Sequence, residues 1–394
     1  MAICDFSEQQ STERPQLDLP EGVPPLRAFY LYMSNSCNLA CRHCWITPHF
    51  VNGKPDPGDV IDVKALRDAV QEAKPMGLNN AKLTGGEPLL HPDFVEIVDM
   101  LSAEGLNMNM ETNGTLLTAE LARYLKDETK LNFISISLDG ADAETHDAFR
   151  NVPGAFDAAL QGLDFLAEAG YTNVQAIMCV HRGNRSQAED IVRLAAAHGA
   201  GSVKFNPVTN TGRGATMHEQ GENLDFAEHM AFAHYIYNEL RPSLREEGLS
   251  IGLILNTPLA LMPIGEMMRR GGHTGDCGVL GILGFLGSDE IVLCGIGRTI
   301  PELVYGRLGK DSIRDIWLHH PTILELRRTL DDVESYPGIC GECNLAKRCR
   351  TGCVAQNFVD GRQLVWPDAL CVEAERRGEF PATRRKAVNV KRES

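Results

Sequence analysis

Nothing in this chain of 394 residues approaches the run of about 20 apolar residues that a membrane-spanning helix needs. The opening segment, MAICDFSEQQSTERPQLDLPEG, is polar and acidic and lacks the apolar core of a secretory signal. A cytoplasmic protein with no membrane partner is expected. Positive charge is scarce as well: 38 Lys and Arg stand against 53 Asp and Glu, a net charge of -15. Nucleic acid favours basic surfaces, so no nucleic-acid partner is expected. The basic residues that do gather, Arg376, Arg377, Arg384, Arg385, Lys386, Lys391 and Arg392, read as a solvated tail. Ser-His-Asp and phosphate-loop patterns are missing too, which removes the commonest hydrolase and nucleotide-binding readings.

What is present is enough apolar residue, 43%, for a sizeable core, best divided into one large and one smaller domain. There are also 12 cysteines. In a reducing compartment, unevenly spread, they point to metal rather than to disulfides. Residues 1–26 read as a lead-in. From Arg27 onward short β-rich runs alternate with helical patterns: RAFYLYM, NAKLT, LNMNMET, NFISISL, VQAIMCV and SVKFNPV each precede a helix. Repeated βα units demand parallel strands with right-handed crossovers, so the α/β region 27–256 is predicted to be a partial (β/α)6 TIM-like barrel with its chemistry at the C-terminal strand ends. A helical stretch at 225–247 and the strand SIGLIL close it. From 257 to 375 glycines and cysteines dominate, the texture of a second domain held by metal. Residues 376–394 are the basic tail.

SNSCNLACRHCWITP places Cys37, Cys41 and Cys44 in one loop after the first strand. A cubane cluster has four irons that thiolates normally fill, so three thiols leave one iron open to a small molecule. Zinc held by the three with His43 is the competing reading. After the second strand comes Thr84-Gly85-Gly86-Glu87-Pro88, where paired glycines admit close backbone approach and the glutamate can accept from an amine. Cys-x3-Cys-x2-Cys followed by GGEP resembles the radical S-adenosylmethionine (radical SAM) superfamily. The resemblance implies a 4Fe-4S cluster on Cys37, Cys41 and Cys44, and SAM chelating the open iron and cleaved to a hydrogen-abstracting 5'-deoxyadenosyl radical. It also implies a flavodoxin- or ferredoxin-type reductant. By the same resemblance Gly85, Gly86 and Glu87 hold the SAM amine, and Trp45 lies near the adenine. Asn113, in the run 111–114, meets the ribose and carboxylate, and Ser137 and Arg150 hold the carboxylate. The bland alternative for Arg150 is that it anchors a helix to the barrel rim.

The later cysteines, Cys277, Cys294, Cys340, Cys343, Cys349, Cys353 and Cys371, resemble the SPASM extension of that superfamily, with a zinc ribbon as the alternative. The resemblance implies two auxiliary 4Fe-4S clusters: a distal one on Cys340, Cys343, Cys349 and Cys371, and a nearer one on Cys277, Cys294 and Cys353. The fourth ligand of the nearer one is left open, with Asp276 a candidate. Cys4 falls in the lead-in, and Cys179 reads as a small buried hydrophobe.

SPASM enzymes act mostly on ribosomally made peptides, and a peptide maturase resembling the pyrroloquinoline quinone maturase type is the leading expectation. With 36 residues before Cys37, a leader-binding module is expected on a separate chain. Gly295 after Cys294 stands where sulfatase maturases carry an aspartate, which disfavours that subfamily. A tetrapyrrole side-chain oxidase or decarboxylase remains open, with Arg213, Arg269 and Arg270 as candidate partners for carboxylates. So does a non-catalytic metal scaffold or electron carrier. His43 is read as a neighbour of the cluster and His146 as a helix cap.

Overall fold

The computed structural model describes residues 17–48, 50–51, 54–55, 58–270 and 278–386. Cys4, Asp276, Cys277, Lys391 and Arg392 lie outside the described residues. Twelve strands are present among those described: β1 (Ala28–Tyr32), β2 (Phe50–Val51), β3 (Lys54–Pro55), β4 (Asn80–Thr84), β5 (Asn107–Thr112), β6 (Leu131–Ser137), β7 (Val174–Val180), β8 (Ser202–Pro207), β9 (Gly252–Leu255), β10 (Ile282–Leu286), β11 (Glu290–Val292) and β12 (Val304–Arg307). β2 and β3 form a two-stranded ribbon, and the other ten make one sheet in the order β12-β11-β10-β1-β4-β5-β6-β7-β8-β9. From β10 to β9 every neighbour is parallel; β11 and β12 are antiparallel additions.

All six strands expected from the alternation form, joined by crossover helices. The first of these helices, Val63–Ala73, starts where the Asp62 carboxylate accepts from the Ala65 amide at 2.7 Å and buries Leu66, Ala69, Val70 and Ala73 against the sheet. Two further parallel strands extend the count. SIGLIL becomes β9 beside β8, and ILGFL, inside the glycine-rich run, becomes β10 beside β1. The glycines obscure this strand in the sequence, yet Gly284 has a steric reason: a Cβ there would stand 2.9 Å from Val292 Cγ2 and 3.1 Å from the Cys294 Cα. Two compact units result, Met1–Leu255 with Leu280–His320, and Asn256–Val279 with Pro321–Ser394. The change in composition near 257 falls at a unit boundary, but residues 280–320 belong with the sheet.

The two faces of the sheet differ. Phe29, Leu31, Leu83, Met110, Ile136 and Phe205 share the outer face, fully buried under the crossover helices. Tyr30, Lys82, Asn109, Glu111, Ser137 and Lys204 share the inner face and are only half-buried. A parallel sheet sealed on both faces has near-continuous apolar strands; the polar alternation here leaves the inner face for something other than core.

Residues 17–26 are tied to the first unit. The Arg314 guanidinium pairs with both Asp18 oxygens at 2.9 and 3.1 Å, the Trp317 indole donates to the Pro24 carbonyl at 2.9 Å, and Leu26 is fully buried. The region 225–247 is one helical run opened by an Asp225 and Glu228 capping box, with a π-helical turn at Tyr235–Leu240 just before Pro242, whose missing N–H an unbroken α-helix would need. In the second unit several of the basic residues up to Lys386 form surface ion pairs: Arg376 and Arg377 with Glu373, Arg385 with Glu342 and Glu375, and Lys386 with Glu334. An acidic surface supplies these partners. Among the described residues no helix is long and apolar enough to cross a membrane.

Glu72, at the end of the first crossover helix, caps the helix Ile313–His319, accepting from the Ile313 and Arg314 amides at 3.0 and 3.1 Å and from the Ser312 hydroxyl. Glu72→Ala is expected to cost about 1–2 kcal/mol. Calorimetry should then show the first unfolding transition lower by about 2–4 °C per kcal/mol; an unmoved transition would deny Glu72 this role.

Candidate active site

The loop after β1 carries three thiols because the turn after β4 lets it settle there. The Gly86 amide donates to the Ser34 carbonyl at 2.9 Å and the Glu87 amide to the Ser36 carbonyl at 2.8 Å. A Cβ on Gly86 would lie 1.8 Å from the Ser36 oxygen, and Gly85 takes φ +128° with its Cβ position 2.9 Å from the Ser34 oxygen. In this structure the paired glycines therefore first serve the contact between two loops. Cys37 and Cys41 are buried and Cys44 is half-buried, in one apolar cluster with Leu39, Val152 and Ala155. Burial pushes the Cys37 thiol up, reinforced by Glu87, Cys41 and Cys44. Burial raises Cys41 as well, against Arg150, whose Nη1 donates to Cys41 Sγ at 3.5 Å.

Glu87 is fully buried, and its carboxylate accepts from the Thr112 hydroxyl at 2.6 Å, the Asn113 amide at 2.8 Å and the Leu89 amide at 3.2 Å. Burial raises its pKa against the pull of these three bonds. The side chain expected to meet an amine is thus engaged as a strut between the turn and β5. Asn113 turns its amide toward Asn38 Oδ1 at 2.8 Å and Cys37 Sγ at 3.9 Å, which places it beside the cysteine loop. Arg150 is buried and pairs with Asp139 at 2.5 Å, while Asp139 accepts from the Cys179 amide at 2.6 Å. Sequence reasoning passed over Asp139; the signal was a lone acid in SISLDG, at the end of β6, with HDAFR a few residues on. His146 does not cap its helix, which Asp142 does; its Nδ1 accepts from the Asp139 amide at 3.1 Å and fixes that turn. Ser137 ends β6 on the inner face.

Trp45 meets Tyr32 edge-on at 5.5 Å between centroids. Gly295 is forced by these rings: a Cβ there would fall 2.3 Å from Trp45 Cη2 and from Tyr32 Cε1. An aspartate at 295 has no room while both rings keep their places. Cys294 is half-buried in the first unit, its charge felt by Tyr32 and Tyr305, whose pKa values are raised chiefly by burial. His43 stacks on Phe149 at 4.6 Å, and Phe149 on His181 at 4.6 Å; burial first, then Arg150, holds His43 well below its usual pKa. Its Nδ1 and the Arg213 Nε and Nη2 are buried without hydrogen-bond partners among the described residues. Cys179 is half-buried against Phe149, Val208 and Met217.

In the second unit Cys340, Cys343, Cys349 and Cys371 lie within one another's electrostatic reach. Burial lifts Cys340 and Cys349 to about 12, with neighbouring thiols and Asp368 adding to it. Asp368, also missed in the sequence, caps the helix that carries Cys371, and burial pushes it up to about 6. Cys353 instead feels Asp368 and Asp360. Arg269 and Arg270 both pair with the buried Glu266. Among the described residues no three Cys, His, Asp or Glu side chains stand as the shell of a single metal ion.

A family model described as the radical SAM superfamily matches residues 31–195. The mycofactocin maturase MftC of Mycolicibacterium smegmatis is 29% identical over 359 residues, 86% of this chain and 81% of that protein. The AdoMet-dependent heme synthase of Nitratidesulfovibrio vulgaris is 30% identical over 380 residues, 91% of this chain and 95% of that protein. The chain belongs to the radical SAM superfamily. Two solved structures share its fold: Streptococcus suis SuiB bound to S-adenosylmethionine, at TM-score 0.68, 15% identity and coverage of 88% and 77%, and anSMEcpe with AdoMet and the Cp18Cys peptide, at TM-score 0.67, 15% identity and coverage of 91% and 96%. These likenesses agree with the partial barrel expected from the βα alternation.

Membership of the radical SAM superfamily makes the chain an enzyme and implies a 4Fe-4S cluster with SAM; the non-catalytic scaffold and the zinc loop fall away. The donors fit: three soft thiols on one loop, walled by apolar residues, with one guanidinium to balance charge once metal displaces their protons. Gly86→Ala is expected to unseat this loop, so that anaerobically reconstituted protein loses one cluster's worth of iron while its circular dichroism is kept; full iron would contradict the steric argument. Arg150→Met should leave the Asp139 carboxylate buried and alone, costing about 3–5 kcal/mol. Adding Asp139→Asn to it should recover part of that in a denaturant titration. A double variant no more stable than the single one would show that the pair is not coupled.

Proposed function

We propose that this radical SAM enzyme is a peptide maturase that abstracts hydrogen from a peptide and then oxidises or cross-links it. One observation carries the reading: three thiols rather than four share the loop at the C-terminal strand ends, beside an inner sheet face left polar and half-open. When bound, the cluster and SAM supply the hydrogen-abstracting radical. The chain's own groups prepare for it. Cys37, Cys41 and Cys44 would hold three irons, and Gly85, Gly86, Asn113, Ser137 and Trp45 would shape the place for SAM. Glu87 and Arg150 act through others as positioning residues, the first on the Asn113 turn and the second on Cys41. Apolar walls keep water and stray hydrogen donors out.

Cys340, Cys343, Cys349 and Cys371 would carry one auxiliary cluster, the electrostatic proximity of their thiols supporting that set. The ligands of a second, including Cys294 and Cys353, are assigned on resemblance alone. A flavodoxin or ferredoxin would deliver electrons, and a separate leader-binding protein would present the peptide. The mycofactocin maturases among the relatives, and solved neighbours bound to a precursor peptide or to the Cp18Cys peptide, support a peptide over other substrates. A second reading, tetrapyrrole side-chain oxidation, is favoured by the heme synthase match, which spans nearly the whole of both chains. Of its candidate cations, Arg269 and Arg270 are already committed to Glu266, while Arg213 Nε and Nη2 are without partners among the described residues.

Anaerobic protein with dithionite and SAM is expected to release 5'-deoxyadenosine, and Cys41→Ala to abolish the release. Incubated with the short peptides encoded beside it, the wild type should remove two hydrogens from one of them, read by mass spectrometry. Loss of carbon dioxide from a porphyrin instead would transfer the assignment to the second reading.

A further inference from the structure

Nowhere else among the described residues do positive backbone angles follow one another as they do between Cys349 and Cys353, where Arg350, Thr351 and Gly352 take φ of +48°, +65° and +79°. Glycine is at ease in that region; arginine, and above all β-branched threonine, is not. Thr351 is also 1% exposed, and its hydroxyl has no hydrogen-bond partner among the described residues. Local propensity would not build this turn, so its surroundings must hold it.

The holder is Asn357. It lies on the helix Val354–Gly361 directly after Cys353, is 1% exposed, and donates through its carboxamide nitrogen to the Thr351 carbonyl at 2.5 Å and the Trp366 carbonyl at 2.8 Å. With two carbonyls to meet, only the NH2 end can face them, and both of its hydrogens are used. One end of this clamp is the strained turn. The other opens the segment Trp366-Pro367-Asp368, from which the helix bearing Cys371 starts. Two further contacts close the arrangement: a Cβ on Gly352 would stand 3.8 Å from Asp368 Oδ2, and one on Gly361 only 2.2 Å from the Trp366 ring. The backbone around Cys349, Cys353 and Cys371 is thus referred to one buried side chain. The clamp also fixes the Thr351 peptide, whose N–H serves as a donor to the Cys349 sulfur. It stands two residues on, the spacing at which the Leu345 amide meets Cys343 Sγ at 3.4 Å.

We propose that Asn357 is a positioning residue for the auxiliary cluster, holding the turn 350–352 against its own strain so that Cys349 and Cys371 present their sulfurs to one centre. The inference rests on the assignment of that cluster to Cys340, Cys343, Cys349 and Cys371, and adds the group that sets the cage. Donors to a ligating sulfur offset the negative charge that reduction adds, so the fixed Thr351 amide favours the reduced form.

The test reads the iron content and the electron paramagnetic resonance of the anaerobically reconstituted holoenzyme at a fixed reducing poise, the auxiliary signal being the one that added SAM leaves unmoved. Asn357→Leu keeps the side chain neutral and of similar size but donates to neither carbonyl. It is expected to load less iron, and the auxiliary signal that remains should be reduced at least threefold less than in the wild type. Thr351→Gly added to it should restore the iron, because glycine takes the turn unforced; simple loss of packing at 357 would not be rescued this way. Wild-type iron with an unmoved signal in Asn357→Leu, or no recovery on adding Thr351→Gly, overturns the proposal. Cys371→Ala separates the two readings. If it keeps full iron and the SAM-insensitive signal, the auxiliary cluster itself is refuted, and the clamp with it. If it loses both while Asn357→Leu behaves as wild type, only the positioning role fails.

Discussion

The contact between the cysteine loop and the glycine turn is the constraint on which the rest of the site depends. Two backbone hydrogen bonds, from Gly86 to Ser34 and from Glu87 to Ser36, join loops that follow neighbouring parallel strands, and no side chain can stand between them. Because the loops are set by β1 and β4, the register of the sheet is carried into the placement of Cys37. The rigid element holds the site and the loop carries the chemistry, the usual division in a barrel.

Buried charge is managed with the same economy. Glu87 is surrounded by three donors from the chain, and Arg150 by Asp139 and the Cys41 sulfur. An isolated ion at such depth would cost several kcal/mol, so each is placed only where partners are built in. Burial disfavours the thiolates of Cys37 and Cys41, and a metal that binds thiolate would reverse that preference. Apolar walls that look hostile to charge are thus suited to a charged centre once metal is present.

How much of this could be read in advance follows from which features are local. The six strands, the cysteine loop and the GGEP turn are each contained in a few consecutive residues, so periodicity and spacing reveal them. β10 was hidden because its glycine, Gly284, answers to Val292 and Cys294 across a hairpin, a demand with no local signature. The partners of Glu87 were hidden for a similar reason: GGEP gives no sign that Thr112 and Asn113 would donate to its carboxylate. Asp139 and Asp368 were passed over because a single acid in a turn is common, and only the fold brings one beside Arg150 and the other near Cys371. The charged alternation in NAKLT, NMNMET and SVKFNP was visible, and it contradicts a sheet buried on both faces; the inner face was legible there.

The second unit presents the opposite problem. Its helices around the thiols are short: Gly338–Glu342, Ala346–Cys349, Val354–Gly361 and Ala369–Arg376. Isolated helices below about 12–15 residues are marginal in water, so packing or a cross-link must hold them. Ile339, Ala346, Val354 and Ala374 fill part of the interior beside larger buried groups such as Leu326, Leu330, Phe358 and Phe380, and Cys343 and Cys371 are buried with them. Cys371 sits in the first turn of a helix capped by Asp368, a carboxylate that burial drives toward its neutral form and that would repel thiolates as an ion. Without metal, protonated thiols are the state the surroundings favour, and burial pushes Asp368 up to about 6. With a cluster the thiolates would become bonded ligands, binding energy would become folding energy, and the order of this unit would be tied to its metal content.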